Sequence, residues 1–484
     1  MTSEQFLKNL ESPQKNVDMV LDTDAFNEVD DHSEVFRMTK ITVDSAKSTG
    51  KVKPMHAVNN GPIAPNVRGE TNFELYKAAG IPYARNHDAS FYSSFGGEHT
   101  VDVHRIFKNF DADENDPAAY IFDPTDKYVS DTISTGTKVF YRLGASIEHG
   151  YKYGTYPPKD FEKWARICEH IIAHYNEGWA DGFNYNIEYW EIWNEPDCRN
   201  ADGSNPCWQG TEEQFIEFYS VAAKHLKKRF PNLKIGGPAF MSPWRNDFKR
   251  KFLENIKENN VPLDFYSFHR YDNTPNGICE AVYEAEASLK EAGLDGTETI
   301  LNEWNYVKGW SGKDWEESLN TWKGLKGASF ITATMCECQY SPLDMLMFYD
   351  ARPCTMCSLF ETDRPWVALK GYYPFKMFSE LYKLDESVEV IKNDNNIYAA
   401  AAKSDNSAKI LLTYFENDAE EQSKDVIIDL KSLAFSGNIN YKCRLLDENN
   451  DCAVIKQEIL SGAEELKLNV SLYSCYLLSF EESY

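Results

Sequence analysis

Two glutamates, each closing a stretch of strand-like sequence, set the chemistry this chain could do. Glu195 stands in Tyr189-Trp190-Glu191-Ile192-Trp193-Asn194-Glu195-Pro196-Asp197, and Glu303 in Ile300-Leu301-Asn302-Glu303-Trp304-Asn305. Both approaches are rich in aromatic and aliphatic residues, the composition of a buried strand. Pro196 forbids both a continued ladder and a helix at Glu195, so that carboxylate belongs at a strand's C-terminal end. Strands closed into a parallel barrel present all their C-terminal ends on one face, and the two glutamates would then converge over one cavity. Two carboxylates flanking a bond are what glycoside hydrolysis needs: one protonates the leaving oxygen, and the other attacks or stabilises the anomeric carbon. The competing reading makes each glutamate a rim residue in a salt bridge; the Asn-Glu-Pro and Asn-Glu-Trp-Asn contexts count against it.

The elements that must position these groups follow from periodicity. From residue 51 onward, apolar strands alternate with amphipathic helices. Strands are expected at Met55 to Asn59, Tyr83 to Asp88, Lys138 to Leu143, Tyr185 to Trp193, Leu233 to Ala239, Asp264 to Tyr271, Thr299 to Trp304 and Asp344 to Phe348. Between and after them lie helices at Asn72 to Ala79, where Gly80 is a natural C-cap, Pro124 to Thr135, Pro158 to Tyr175, Thr211 to Phe230, Asn246 to Asn259, Ala281 to Ala292, Trp315 to Met335 and Ala368 to Leu384. Eight such units fit an α/β fold of the (β/α)₈ barrel type over residues 51–386, and no G-x-G-x-x-G turn supports an open doubly wound sheet. Residues 387–484 read as short strands separated by Asn, Asp, Gly and Ser turns, an antiparallel β-sandwich. Met38 to Asp44 alternates polar and apolar residues, so residues 38–50 should supply that sandwich with an N-terminal strand.

Composition bounds the partners. Fifty basic against 76 acidic side chains give a formal charge of −26, which repels nucleic acid and anionic membranes. No run of about 18 apolar residues and no apolar signal core near the N-terminus is visible, so a cytoplasmic protein is expected. The 11 cysteines read as reduced thiols with no disulfide framework. Cys336, Cys338, Cys354 and Cys357 have spacings similar in outline to a zinc site, but the two pairs fall on opposite sides of the last barrel strand. No metal and no cofactor are expected at the glutamates. A homo-oligomer is compatible with the sequence.

The motifs together resemble those of glycoside hydrolase family 39, the β-xylosidase and α-L-iduronidase family of the clan A retaining glycosidases. The resemblance is carried by Arg85-Asn86-His87, Glu191 to Asp197, Lys234-Ile235-Gly236-Gly237-Pro238, Asp264 to Tyr271 and Ile300 to Glu303. It implies that Glu195 is the acid/base and Glu303 the nucleophile of a retaining, exo-acting enzyme on a carbohydrate substrate. It further implies that Asn194 bonds the sugar 2-hydroxyl and that His87 and His269 contact ring hydroxyls. Tyr271 would hold the nucleophile, and Arg85 would add positive charge beside it. His56 and Asn59 lie near the rim with their facing undecided, and Trp190, Trp193, Trp304 and Trp310 are candidates for stacking on sugar or for core.

Two features depart from that pattern. Family 39 xylosidases bring a tryptophan-containing segment to the last strand, whereas this chain has Met347-Phe348-Tyr349-Asp350-Ala351-Arg352; a β-xylosidase-like enzyme is the expectation, with an arabinosidase or α-L-iduronidase-like specificity as the alternative. The loop from Cys198 to Cys207 is polar and particular to this sequence. A sugar-binding protein that has lost turnover is the alternative from another class. Residues 1–37 are similar instead to the opening of nucleoside hydrolases, in which the positions of Asp24 and Asp31 help bind calcium; they read as a fused fragment.

Overall fold

The computed structural model describes residues 38–87, 99–146, 154–354, 357–433, 435 and 437–483. The N-terminal segment with Asp24 and Asp31 lies outside them. Strand β1 (Thr39–Lys51) comes first. The barrel then runs β2 (Ala57–Asn59), α1 (Phe73–Ala79), β3 (Tyr83–Asn86), α2 (Val103–Ile106), α3 (Asp123–Ser134), β4 (Lys138–Leu143), α4 (Phe161–Glu177), β5 (Tyr189–Ile192), α5 (Glu212–Arg229) and β6 (Lys234–Phe240). It continues through α6 (Asp247–Glu258), β7 (Phe265–Asp272), α7 (Pro275–Glu291), β8 (Glu298–Tyr306), α8 (Gly312–Thr321), α9 (Leu325–Gln339), β9 (Met345–Phe348) and α10 (Tyr372–Tyr382). Strands β2 to β9 close in chain order, all parallel.

Local signals explain the element ends. The side chain of Asp160 caps α4 at the Lys163 amide, and Gly178 ends the helix in left-handed conformation. Thr211 and Gln214 form a reciprocal capping box at the start of α5, which fixes the chain just after the Glu195 loop. Helix α4 buries Trp164, Ile167, Cys168 and Ile171 on its barrel face. Each such fully buried large side chain contributes about 1.5–3 kcal/mol from water exclusion.

Inside the barrel the floor is apolar. Ala57, Phe140, Tyr189, Phe265, Ile300, Met345 and Met347 form a cluster of their own, separate from the larger core between strands and helices. Phe140 of β4 reaches Phe265 of β7 at 5.2 Å between ring centroids. Strands that are not neighbours can meet this way only across the barrel interior.

The remaining strands, β10 (Glu386–Lys392), β11 (Ile397–Ser404), β12 (Ser407–Tyr414), β13 (Ser423–Asp429), β14 (Asn438–Leu446), β15 (Asp451–Leu460), β16 (Glu465–Ser471) and β17 (Cys475–Ser483), join β1 in a nine-stranded sheet. Its order is β15-β14-β17-β12-β11-β10-β1-β13-β16. The N-terminal strand is therefore central: it pairs antiparallel with β10 and, over Thr39 to Thr42, parallel with β13. That parallel pair departs from a purely antiparallel domain, and it arises because β1 enters from the far end of the chain. Helix α9 packs on this sheet, Ser329 bonding to Thr413 at 2.7 Å.

Several expected elements shift. Strand β15 is unexpected, because its exposed residues from Asp451 to Leu460 follow no inside–outside alternation. Helix α7 begins at Pro275 rather than Ala281, with Thr274 capping Gly277. The helical stretch from Trp315 splits at Gly324. The strand before Glu195 is shorter than its apolar approach, beginning at Tyr189.

Candidate active site

The backbone delivers the two glutamates in different ways. On β5, Tyr189 belongs to the apolar floor and Glu191 points into the barrel two residues later, as alternation requires. Alternation would send Trp193 inward too. Trp193 instead has a φ of 78°, and its indole packs against Trp164, Trp208 and Phe218 on the helix side. Glu195 also lies in the left-handed region, at φ 46°, and its amide bonds to the Ala239 carbonyl at 2.9 Å. Two non-glycine residues with positive φ in three mark a backbone held by its surroundings.

On β8 the device is a bulge. Phe268 pairs with Leu301, but His269 pairs with Glu303, so Asn302 is the extra residue. Asn302 points inward by alternation from Ile300; Glu303 would face the helices. The bulge re-aims it, and both consecutive side chains reach the barrel interior.

Arg85 connects them. Its Nε donates to Glu191 Oε2 at 2.7 Å, one terminal nitrogen donates to Asn59 Oδ1 at 3.1 Å and Glu303 Oε1 at 2.9 Å, and the other donates to Asn194 Oδ1 at 2.7 Å. Four partners in different directions need a planar guanidinium, which lysine cannot imitate. Arg85 and Glu191 are wholly buried. Burial opposes the charge on Arg85, but the carboxylates of Glu191 and Glu303 outweigh it and hold the group above its ordinary pKa.

Glu303 accepts from Tyr271 at 3.0 Å through Oε2. Burial, then the neighbouring Glu303, push the Tyr271 phenol well above 10, so it keeps the proton it donates. His269 places Nδ1 at 2.8 Å from Glu195 Oε1 and 3.5 Å from Glu303 Oε2. Burial lowers its pKa; Glu303 raises it and Arg85 lowers it further, with the net shift downward, so the ring is neutral above the usual histidine range. One carboxylate oxygen of Glu195 and one of Glu303 lie within 4.8 Å of each other.

His87 sits with Nε2 at 3.5 Å from Glu303 Oε1. Arg142 donates through Nε to His87 Nδ1 at 3.2 Å and is itself bound by Asp102 at 2.6 Å. A guanidinium only donates, so His87 Nδ1 must accept and Nε2 carries the hydrogen facing the cavity. All seven expected site residues, Arg85, His87, Asn194, Glu195, His269, Tyr271 and Glu303, thus come together in one network.

Asn59 faces in, bonding to the Asn302 carbonyl at 2.7 Å, whereas His56 faces out against Phe378 and Tyr382. Trp190, Trp193 and Trp304 are core, because each is buried on the helix side of its strand. Trp310 differs: it is 60% exposed, stacked on Trp315 and 5.1 Å from Tyr271.

Glu191 is the residue that motif reading passed over. It accepts from Ser267 at 2.6 Å and from Asn302 besides Arg85, so it anchors the guanidinium from below. Its inward register two residues after Tyr189 was the available signal.

Among the described residues, three groups bring metal-ligand atoms within 4.8 Å of one another: Glu195, His269 and Glu303; Glu195, Cys198 and Cys207; and Asp350, Cys354 and Cys357. The first lies beside Arg85, whose positive charge opposes a cation. The two cysteine pairs considered for zinc do not meet there: Cys338 lies against Cys279, Cys336 against the Leu411 carbonyl, and Cys354 against Cys357. At the end of β9, Asp350 is buried and bound by Arg352 at 3.0 Å and by Asn60 at 3.3 Å.

The model of the glycosyl hydrolases family 39 matches residues 39–307. A β-xylosidase of Caldicellulosiruptor saccharolyticus is 26% identical over 272 residues, covering 53% of this chain and 50% of its own; the chain thus spans about half the length of that curated relative. Among solved structures, a glucosidase from Croceicoccus marinus superposes with a TM-score of 0.74 at 20% identity, covering 92% of this chain and 99% of its own. A monomeric β-xylosidase from Caulobacter crescentus CB15 gives 0.67 at 14% identity, covering 92% and 100%. These identities make the structural likeness one of fold.

Proposed function

Because this chain belongs to family 39 of the glycosyl hydrolases, whose model spans more than half of its 484 residues, we propose that it is a retaining exo-glycosidase of β-xylosidase type. The observation that carries the mechanism is the separation of the two carboxylates. An oxygen of one carboxylate within 4.8 Å of an oxygen of the other is compatible with direct attack through a covalent glycosyl-enzyme, for which carboxyl groups stand about 5–5.5 Å apart.

In this reading Glu303 is the nucleophile. Arg85 and Tyr271 each donate to one of its oxygens, which holds the carboxylate in orientation for attack on the anomeric carbon. Glu195 protonates the departing glycosidic oxygen and afterwards takes a proton from the water that releases the sugar. His269 touches Glu195 and lies near Glu303, a neutral group that steadies both without adding charge. Asn194 gives its amide oxygen to Arg85, which turns its NH₂ toward the substrate to bond the 2-hydroxyl, a contact that strengthens as charge develops at the sugar. His87 offers Nε2–H to a ring hydroxyl.

The xyloside preference is supported by the curated relative and opposed by the last strand's lip, where Tyr349, Asp350 and Arg352 stand. A panel of nitrophenyl glycosides covering β-xyloside, α- and β-arabinoside, β-glucoside, β-galactoside and α-iduronide decides it. We expect β-xyloside to give the highest kcat/KM, with product of retained configuration by NMR. Glu303→Ala should lose about 10⁵-fold or more on every substrate. Glu195→Ala should keep its first step on a dinitrophenyl glycoside and be rescued by azide as a glycosyl azide of retained configuration. An inverted product, or a Glu195→Ala enzyme unresponsive to azide on the activated substrate, rules the assignment out.

A further inference from the structure

The loop after Glu195 returns to it. Cys198 follows Pro196 and Asp197, its amide bonding to the Glu195 carbonyl at 3.0 Å. Nine residues later, Cys207 brings Sγ to 3.9 Å from Glu195 Oε2. The two sulfurs and a Glu195 oxygen all lie within 4.8 Å of one another. Oε1 of the same carboxylate is the oxygen that faces His269, so Cys207 approaches the other one.

This is a built arrangement and no accident of a free loop. Asn205 donates to the Pro196 carbonyl at 2.7 Å, and its side-chain oxygen accepts from the amides of both Cys207 and Trp208 at 2.8 Å. The Cys207 carbonyl in turn accepts from the Trp193 indole at 2.9 Å. The second thiol is therefore tied to the residues that fix the backbone around Glu195. Cys207 is buried, while Cys198 and Glu195 are partly exposed.

The chemistry of the set is specific. Two thiolates and a carboxylate are the donors of a tetrahedral d¹⁰ cation, and at a metal–sulfur distance of about 2.3 Å two thiolates stand about 3.8 Å apart. The sulfurs need close by about 1 Å at most to reach that separation. A hard cation such as magnesium or calcium would not choose thiols. We propose that Glu195, Cys198 and Cys207 form a binding site for a thiophilic divalent cation of the zinc class, which on binding occupies the acid/base carboxylate and switches the enzyme off.

The binding step balances without any redox partner: each thiol loses one proton to solvent, Glu195 binds as its carboxylate, and water completes the coordination. Because both thiols bind as thiolates, the metal displaces their protons and affinity should rise with pH. That inhibition follows from binding rests on Glu195 being the acid/base; the binding itself does not.

The test therefore reads both. Reduced, chelator-treated enzyme is titrated with cobalt(II), and thiolate-to-metal charge-transfer absorption is recorded alongside zinc inhibition of glycoside hydrolysis. We expect a one-to-one charge-transfer signal, reversed by chelator, and zinc inhibition that strengthens with pH. Cys198→Ser and Cys207→Ser, each compared with its own metal-free activity, should raise the half-inhibiting zinc concentration by more than about tenfold, the low end of what losing even an outer-sphere partner costs. Charge-transfer absorption without inhibition would show metal on the two thiols without Glu195 and overturn the proposed switch, while the azide rescue of Glu195→Ala tests the acid/base role separately. Inhibition unchanged in both serine variants would place the metal at Glu195, His269 and Glu303 and overturn the proposal. So would loss of activity that appears only with an added oxidant and returns with dithiol, because a Cys198–Cys207 disulfide would then be the occupant of this geometry.

Discussion

The barrel interior holds two layers that are two residues apart on the same strands and opposite in chemistry. Ala57, Tyr83, Phe140, Tyr189, Phe265 and Ile300 build the floor; Asn59, Arg85, Arg142, Glu191, Ser267 and Asn302 lie above them. Each pair is a step of i to i+2, so the alternation of a strand puts both members inside. The floor is stabilised by excluding water, and it tolerates no polar atom without a partner. The upper layer is stabilised only because every charge is answered: Arg85 stands between Glu191 and Glu303, and Arg142 rests on Asp102. Such a buried ionic layer adds little net stability over an apolar one of the same shape, but removing one member leaves a charge stranded. What it supplies is position, since Arg85 reaches Asn194 and Glu303 with one rigid fork.

The sharpest way to break this comparison is Arg85→Met. It strands Glu191 in a dry interior, and we expect a loss of about 3–5 kcal/mol by denaturant unfolding together with near-complete loss of activity. The double variant Arg85→Met/Glu191→Leu should regain much of the stability and none of the activity. If instead it regains activity, the upper layer does not position the nucleophile.

A floor residue should behave in the opposite sense. Ile300→Ala removes buried methyl groups and leaves a cavity, costing about 2–5 kcal/mol. Below its lowered melting temperature, kcat and KM should match those of the parent. An altered kcat in folded enzyme would mean that the floor transmits to the bulge at Asn302 and Glu303.

Two buried histidines refine the contrast by pH. His56 lies outside the floor, its Nε2 bonding to the Gly80 carbonyl at 3.1 Å while Nδ1 has no hydrogen-bond partner, and burial lowers its pKa to about 3, opposed by the Gly80 carbonyl and aided by Lys383. The unfolded chain takes up a proton below pH 6.5, but the folded one does not until about pH 3. Stability present above pH 6.5 is therefore lost as pH falls, by about 1.4 kcal/mol per unit and roughly 2 kcal/mol at pH 5. His56→Gln should flatten that part of the stability curve. His269, lowered in the same direction but seated between the glutamates, should keep the acid limb of kcat/KM in the same variant. If that limb moved with His56→Gln, the two ends of the barrel would be coupled.

How much of this was legible in the sequence depends on whether the cause was local. Both glutamates could be placed at strand ends because Pro196 and the apolar approaches are neighbours of the groups they constrain. Gly80, Thr211 and Asn246 could be assigned to helix ends for the same reason, since a cap acts within one turn. The eight alternations and an N-terminal strand joining the C-terminal sheet followed from periodicity; the place of that strand between β10 and β13 did not.

What only the tertiary structure decided is which distant side chains meet once the sheet closes. Tyr189 and Glu191 are both inward by alternation, and nothing local says that one finds Phe140 and Phe265 and the other finds Arg85. The inward turn of Glu303 comes from a bulge visible only in its pairing with β7, and the outward turn of Trp193 from a left-handed backbone that its neighbours impose. Strand β15 lies exposed at the sheet edge, so no burial pattern is written into it. Cys198 and Cys207 meet at Glu195 because Asn205 folds their loop back on Pro196. Spacing along a chain reports the period of an element, but closure of the barrel sets the distances across it, and those distances choose the partners of every buried charge.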